Sequence, residues 1–262
     1  MCIVAFAWQV FENMPLFLIS NRDEFYHRPT QMLDYQAEYD IFAGRDLQSG
    51  GTWLGTTKAG RWAIITNYRN GRDKRTFNTS RGHIVQHYLM SDLSPMQFAK
   101  QLQKQQQHFA GFNLIVGNHQ QAVYISNYGE APQALANGVY VLSNGLMSDD
   151  WAKTHHLRKR FTQELLPVLQ QHQAILHDDV RNLSFELLQD NRQCDIDDLP
   201  DTGIGIEWEQ LLSSTFIQSQ NYGTRCSNVL MMTDTRLEWY EKIQHGDEQG
   251  LMNYVQYDLA YF

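Results

Sequence analysis

Short apolar runs joined by connections of only a few residues constrain the fold of this chain more than any other feature. Residues 2–8 and 16–20 read as two strands, with Glu12-Asn13-Met14-Pro15 as the turn between them. Residues 53–56 and 61–67 read as a second hairpin across Thr57-Lys58-Ala59-Gly60. Residues 227–234 and 237–243 form a third, turning at Asp234-Thr235-Arg236. Parallel neighbours need a crossover of about a dozen residues or more, so these links call for antiparallel pairing. Further strands are expected at 112–117, 122–127, 139–143 and 253–261. Helices are expected at 81–90, from the cap Ser94-Pro95 toward His108, over 151–171 with Pro167 kinking or dividing it, and over 183–189. The order strands, helices, strands, helices, strands predicts an α+β fold in one domain over residues 1–262, with no internal repeat.

Composition excludes several function classes. A hydrophobic fraction of 42% and an aromatic fraction of 12% exclude a disordered chain. A net charge of −8 argues against general nucleic-acid or anionic-membrane binding. The one basic cluster, residues 69–75, is interrupted by Asp73 and reads as a solvated loop. The three cysteines, Cys2, Cys194 and Cys226, are widely spaced, and no CxxC or zinc-type Cys/His spacing occurs. That usage suits a reducing compartment, and the start lacks signal-peptide character, so a cytoplasmic location is expected. No apolar stretch reaches membrane-spanning length. No phosphate-loop or dinucleotide fingerprint follows a strand, and His155-His156 face different ways on a helix, so no metal or cofactor is expected.

Cys2 is the chemically pointed residue. Removal of Met1 would make it the N-terminus, carrying both a thiol and a free α-amine. The thiol can attack a carbonyl, and an amine with a reference pKa of about 7.7–8.0 can take the proton. The plainer reading is a buried cysteine starting an edge strand. Asn21-Arg22-Asp23-Glu24 places four polar residues directly after the second strand, beside the first, where a site would sit; the plainer reading there is a charged hairpin exit.

The motifs Met1-Cys2, Asn21-Arg22-Asp23-Glu24, Gly51-Thr52-Trp53-Leu54-Gly55, Thr66-Asn67-Tyr68, Gly111-Phe112-Asn113-Leu114, Leu142-Ser143-Asn144 and Tyr222-Gly223-Thr224-Arg225 occur in that order. Together they resemble the NRDE family, whose animal members are called transport and Golgi organisation protein 2. That family in turn resembles the cysteine-type N-terminal nucleophile hydrolases, such as bile salt hydrolases and penicillin V acylases. The resemblance implies a four-layer αββα sandwich of antiparallel sheets. It implies Cys2 as nucleophile, Asp23 as the holder of its α-amine, Asn67 and Asn144 at strand ends with Asn144 in the oxyanion hole, and Arg225 near the nucleophile. Asn21, Arg22, Trp53 and Tyr68 are expected to contact substrate. One departure stands out: the hydrolases carry an arginine directly before Asn-x-Asp, and here that place is Ser20. Arg22, between Asn21 and Asp23, is not expected to replace it.

Two functions stay open at this point. One is an amidohydrolase or acyltransferase acting on a small acylated amine or thioester. The other is a carrier on the same fold, since the resemblance also implies haem mobilisation and lipid or acyl-CoA homeostasis. The residues themselves read equally as structure: Asp23 as a salt-bridged turn residue, Asn67 and Asn144 as strand-end Asx turns, Arg225 as a surface ion pair. The partner is then a small molecule (acyl amide, thioester or haem) rather than a nucleic acid, and a homodimer stays open as the quaternary state.

Overall fold

The computed structural model describes residues 2–260. The first two strands, β1 (Cys2–Phe11) and β2 (Met14–Phe25), pair antiparallel and run longer than their apolar cores. Both faces of β1 are buried, and they go to different places. Val4, Phe6 and Trp8 join one core cluster, whereas Ile3, Ala5 and Ala7 join another. A strand covered on both sides has no polar face, which is why its sequence reads as an unbroken apolar run.

The first sheet has the order β10-β1-β2-β11-β12-β13, with β10 (Gly138–Leu142), β11 (Tyr222–Met232), β12 (Arg236–Ile243) and β13 (Met252–Asp258). The second has the order β3-β4-β5-β6-β7-β8-β9: β3 (Thr30–Gln36), β4 (Ile41–Asp46), β5 (Leu54–Thr56), β6 (Trp62–Asn67), β7 (Phe112–Gly117), β8 (Ala122–Ser126) and β9 (Gln133–Ala134). Every pairing in both sheets is antiparallel. Between the sheets, Trp62 meets Phe6 and Trp8 at ring separations of 6.1 and 5.8 Å. Helices α1 (Gly82–Leu89) and α2 (Pro95–Gln103) pack their apolar sides into the cluster that includes the second sheet. Helices α3 (Ala152–Arg160), α4 (Leu166–Leu169) and α5 (Asp178–Leu188) cover the outer face of the first. The result is the α+β, αββα layering, with a short α6 (Ile206–Leu211) beside the site.

Several expectations are corrected in detail. The hairpin β3–β4 was missed because β3 has no two-residue period: its exposed, half-buried and buried positions are mixed, and its only adjacent apolar residues are Met32 and Leu33. The strand β11 begins five positions earlier than expected, at Tyr222. The helix over 151–171 changes pitch at a π-helical turn, Phe161–Leu165, just before Pro167. Proline has no N–H and its ring crowds the carbonyl four residues back, at Gln163, so a widened turn accommodates it. The strand expected over 253–261 is observed as Met252–Asp258, and Tyr261 lies outside the described residues. Among the described residues no helix is long and apolar enough to cross a membrane.

Candidate active site

The register of the first hairpin sets the site. Cys2 pairs directly with Arg22 across β1–β2, so their side chains share a face of the sheet. This corrects the expectation about Arg22. Ser20 and Arg22 are two apart and lie on one face, and it is Arg22 that sits opposite Cys2. Its guanidinium lies 4.3 Å from the centre of the Trp53 ring and donates to Thr30 Oγ1 at 3.1 Å and Asp46 Oδ2 at 3.2 Å. Burial pushes the Cys2 thiol up, while Arg22 pulls it back toward the thiolate.

Asp23 is fully buried, and its Oδ1 accepts from Thr224 Oγ1 at 2.8 Å. On β2 it directly follows Arg22, the partner of Cys2. Burial raises its carboxyl, and Lys153 and Arg22 oppose that rise.

Asn144 reaches Cys2 through the β1–β10 pairing, which aligns Val4 with Leu142. Its segment is clamped from three sides. Ser143 Oγ donates to the Cys2 carbonyl at 3.2 Å, Thr66 Oγ1 donates to the Ser143 carbonyl at 2.6 Å, and Asn113 Nδ2 donates to the Gly145 carbonyl at 2.9 Å. Asn144 Nδ2 donates to the Asn67 carbonyl at 2.9 Å, tying the two asparagines into one strand-end junction. An amide nitrogen has a second hydrogen, so this bond does not exhaust Asn144 as a donor.

Cys2, Arg22, Asp23, Trp53 and Asn67 line a cleft of about 130 Å³, together with Glu24, Arg28, Asp46, Ile65 and the segments 51–52 and 80–82. Asp46 organises its rim: it accepts from Arg28 Nε at 2.5 Å as well as from Arg22. Although burial works against it, the Arg28 guanidinium holds the Asp46 carboxyl below the usual range. The wall depends on two glycines in contact. A Cβ on Gly51 would come within 2.5 Å of the Gly82 carbonyl carbon, so α1 starts against the 51–52 loop only because neither has a side chain.

Other expected site residues lie elsewhere. Arg225 is the extra residue of a bulge between Thr224 and Cys226. Its Nη1 donates to the carbonyls of Phe25, Tyr26 and Arg28 at 2.9–3.0 Å. It therefore braces the chain leaving β2 and does not line the cleft. Asn21 faces the helices, donating to the carbonyls of Leu188 at 2.8 Å and Thr215 at 2.9 Å while accepting from Ser227 Oγ at 2.6 Å. Asn144 is buried, and its partner Asn67 rather than Asn144 lines the cleft. Tyr68 stacks on Tyr128 at 4.3 Å and lines a neighbouring cavity. The basic cluster is not wholly solvated, since Arg69 is buried against Glu209.

Lys153 was missed because a lysine on a polar-looking helix gives no sequence signal. Its side chain is buried and its Nζ donates to the Leu212 carbonyl at 2.9 Å. Burial, with Arg69 adding repulsion and Asp23 opposing, brings its pKa down to about 7. A depressed ammonium binds fewer protons folded than unfolded, so stability rises with pH between about 7 and the unfolded value near 10.5. Relative to Lys153→Met, the wild type is expected to gain a few kcal/mol between pH 6 and pH 10, read by urea unfolding at both pH values. Parallel curves for the two proteins would show that Lys153 is not desolvated. Away from the cleft, His172, His177 and Asp179 bring ligand atoms within 4.8 Å of one another. His177 Nδ1 is already the acceptor capping α5, at 3.3 Å from the Asp179 amide.

Residues 1–246 match the model of the transport and Golgi organisation 2 family. The chain belongs to that family. It is 31% identical over 271 residues to the transport and Golgi organization protein 2 homolog of Bos taurus, covering 95% of each chain. It is 31% identical to the Homo sapiens homolog over 254 residues, covering 88% of each. Among solved structures it is similar to a mutant conjugated bile acid hydrolase from Clostridium perfringens, with a TM-score of 0.51 and 7% identity, covering 97% of this chain and 92% of that one. At that identity the likeness is one of fold alone, and it agrees with the two antiparallel sheets described above.

Proposed function

We propose that this protein is an N-terminal cysteine nucleophile amidohydrolase or acyltransferase acting on a small acylated amine or thioester. The observation that carries the reading is the pairing of Cys2 with Arg22 above buried Asp23 in one polar cleft. Once Met1 is removed, the α-amine of Cys2 takes the thiol proton as sulfur attacks the acyl carbonyl carbon. The carbonyl electrons move to oxygen, and N–H donors at the strand-end junction of Asn144 and cleft-lining Asn67 accommodate that charge. On collapse the carbon–nitrogen or carbon–sulfur bond breaks, the proton passes to the leaving group, and a Cys2 thioester remains. Water, or an acceptor amine, then attacks it. Asp23 holds the ammonium form of the α-amine by a charge-assisted hydrogen bond. The buried thiol is not a standing thiolate, so it needs its own base at the moment of attack.

The cleft is small compared with the roughly 300–1,000 Å³ of most drug-sized ligand sites, which favours a short acyl group over a macrocycle. Three free thiols fit a reducing, cytoplasmic setting. Intact mass spectrometry of the native protein tests the reading. The expected mass is one methionine residue short and increases by one acyl group on exposure to a small aryl thioester, with the adduct on Cys2. Retained Met1 would sink it, because the amine would then be displaced from the thiol.

A further inference from the structure

Four arginines stand at or near the cleft, and three have their charge or donors committed. Arg22 and Arg28 share Asp46, and Arg225 spends its Nη1 on three backbone carbonyls outside the cleft. Arg81 differs. It lines the cleft beside Cys2, and one Nη1–H anchors it to the Gly111 carbonyl at 2.8 Å. Among the described residues no carboxylate lies within ion-pair distance of it; Glu24 acts on it only through space. A guanidinium has five N–H donors in a planar fork, so one anchoring bond fixes the group and leaves the others to a ligand.

Arg81 also lines a second cavity of about 190 Å³, shared with Tyr68, Asn70, Tyr128 and the Asp73–Arg75 ion pair. It therefore stands at the junction between the nucleophile and that cavity. Helix α1 starts directly after it, with no side-chain cap and no acidic residue in its first turn. The first amides of that helix are taken by Ser80 and by the Arg81 carbonyl, so the positive charge on this wall is that of the guanidinium itself. Burial lowers the basicity of Arg81, the expected effect on a cation held without a counterion.

The geometry points to Arg81 as the anchor for an anionic group, a carboxylate or a phosphonate-like oxyanion, carried by the acyl substrate of Cys2. The acyl half of this assignment rests on the proposed nucleophile; the anion half stands on Arg81 alone. The cleft admits only a short compound, so the anion and the scissile carbonyl belong to one small molecule.

Titration calorimetry on the Cys2→Ala protein tests the anion half without turnover. The ligands are N-acetylglycine, N-acetylaminomethylphosphonate and the neutral N-acetylglycinamide. Either anion is expected to bind at least about tenfold tighter than the amide, as charge-assisted bonding to a guanidinium requires. Adding Arg81→Gln removes the difference, and Arg81→Lys retains part of it. An equal affinity for all three ligands overturns the proposal, as does a preference that survives Arg81→Gln in a folded protein. Should Arg81→Gln not fold, the unmodified Arg81 protein and Arg81→Lys still decide the matter, because a flat response in the first, or an undiminished preference in the second, counts against a guanidinium-specific site. The nucleophile is tested separately, by the rates at which iodoacetate and iodoacetamide alkylate wild-type Cys2. Inertness to both with the anion preference intact removes the nucleophile and leaves the anion site. Ready alkylation with no anion preference does the reverse.

Discussion

Replacing Cys2 with alanine is expected to abolish the acyl-enzyme and lower amine release from small acyl substrates by about 10⁴-fold or more, the scale set by removing a nucleophile from other hydrolases. The fold should survive. The side chain lost is one sulfur at the start of a strand that is otherwise held by hydrogen bonds on both sides and by Ser143 on its carbonyl. The unfolding midpoint should therefore move by no more than a few degrees. Because burial raises the thiol, wild-type acylation should still be climbing at pH values where an exposed cysteine has levelled off. Substitution of Arg22 by methionine should displace that climb to still higher pH, since the guanidinium favours the thiolate. Single-turnover acylation across a pH series measures both. Undiminished turnover in Cys2→Ala would assign the chemistry elsewhere and favour a carrier.

The largest stability effect is expected at Glu209. Its Oε2 pairs with Arg69 Nη1 at 2.5 Å, and its Oε1 accepts from the Thr202 amide at 2.7 Å and the Thr202 hydroxyl at 2.6 Å. Both partners of the ion pair are under 5% exposed. Among the described residues Arg69 Nε and Nη2 have no hydrogen-bond partner, so Glu209 and the Trp151 ring, 4.8 Å away, are what accommodate this cation. Glu209→Ala strands it and should cost about 3–5 kcal/mol, read by urea unfolding at pH 7. The loss should also reach the cleft. The Arg69 amide donates to the Asn144 carbonyl at 2.7 Å, so loosening Arg69 loosens the segment that aligns Asn144 with Cys2. The milder Glu209→Gln should keep Thr202 in place, unfold less readily than Glu209→Ala, and still acylate more slowly than wild type. A loss below about 1 kcal/mol in Glu209→Ala would show that water reaches Arg69 and that the pair is not a buried one.

Hairpin spacing determined the antiparallel character of the sheets, because a link of a few residues permits no other pairing. The apolar run after Cys2 determined that β1 would be buried, and the strand-end motifs marked which segments gather at the site. Sequence could not determine register, and register decided the chemistry. One residue of slip would put Asn21 or Asp23 opposite Cys2 in place of Arg22, with every side chain on the other face. Nor could it find the bulge that turns Arg225 away to brace the chain after β2, since a bulge is a property of two paired strands. Arg69, Lys153 and Glu209 look like surface charges in a polar stretch. Only the packing of α3 and α6 against the end of the first sheet desolvates them, and desolvation depends on neighbours far apart in the chain. The same holds for Arg81, which reads as the start of a helix and becomes a candidate anion site only where that helix abuts the cleft.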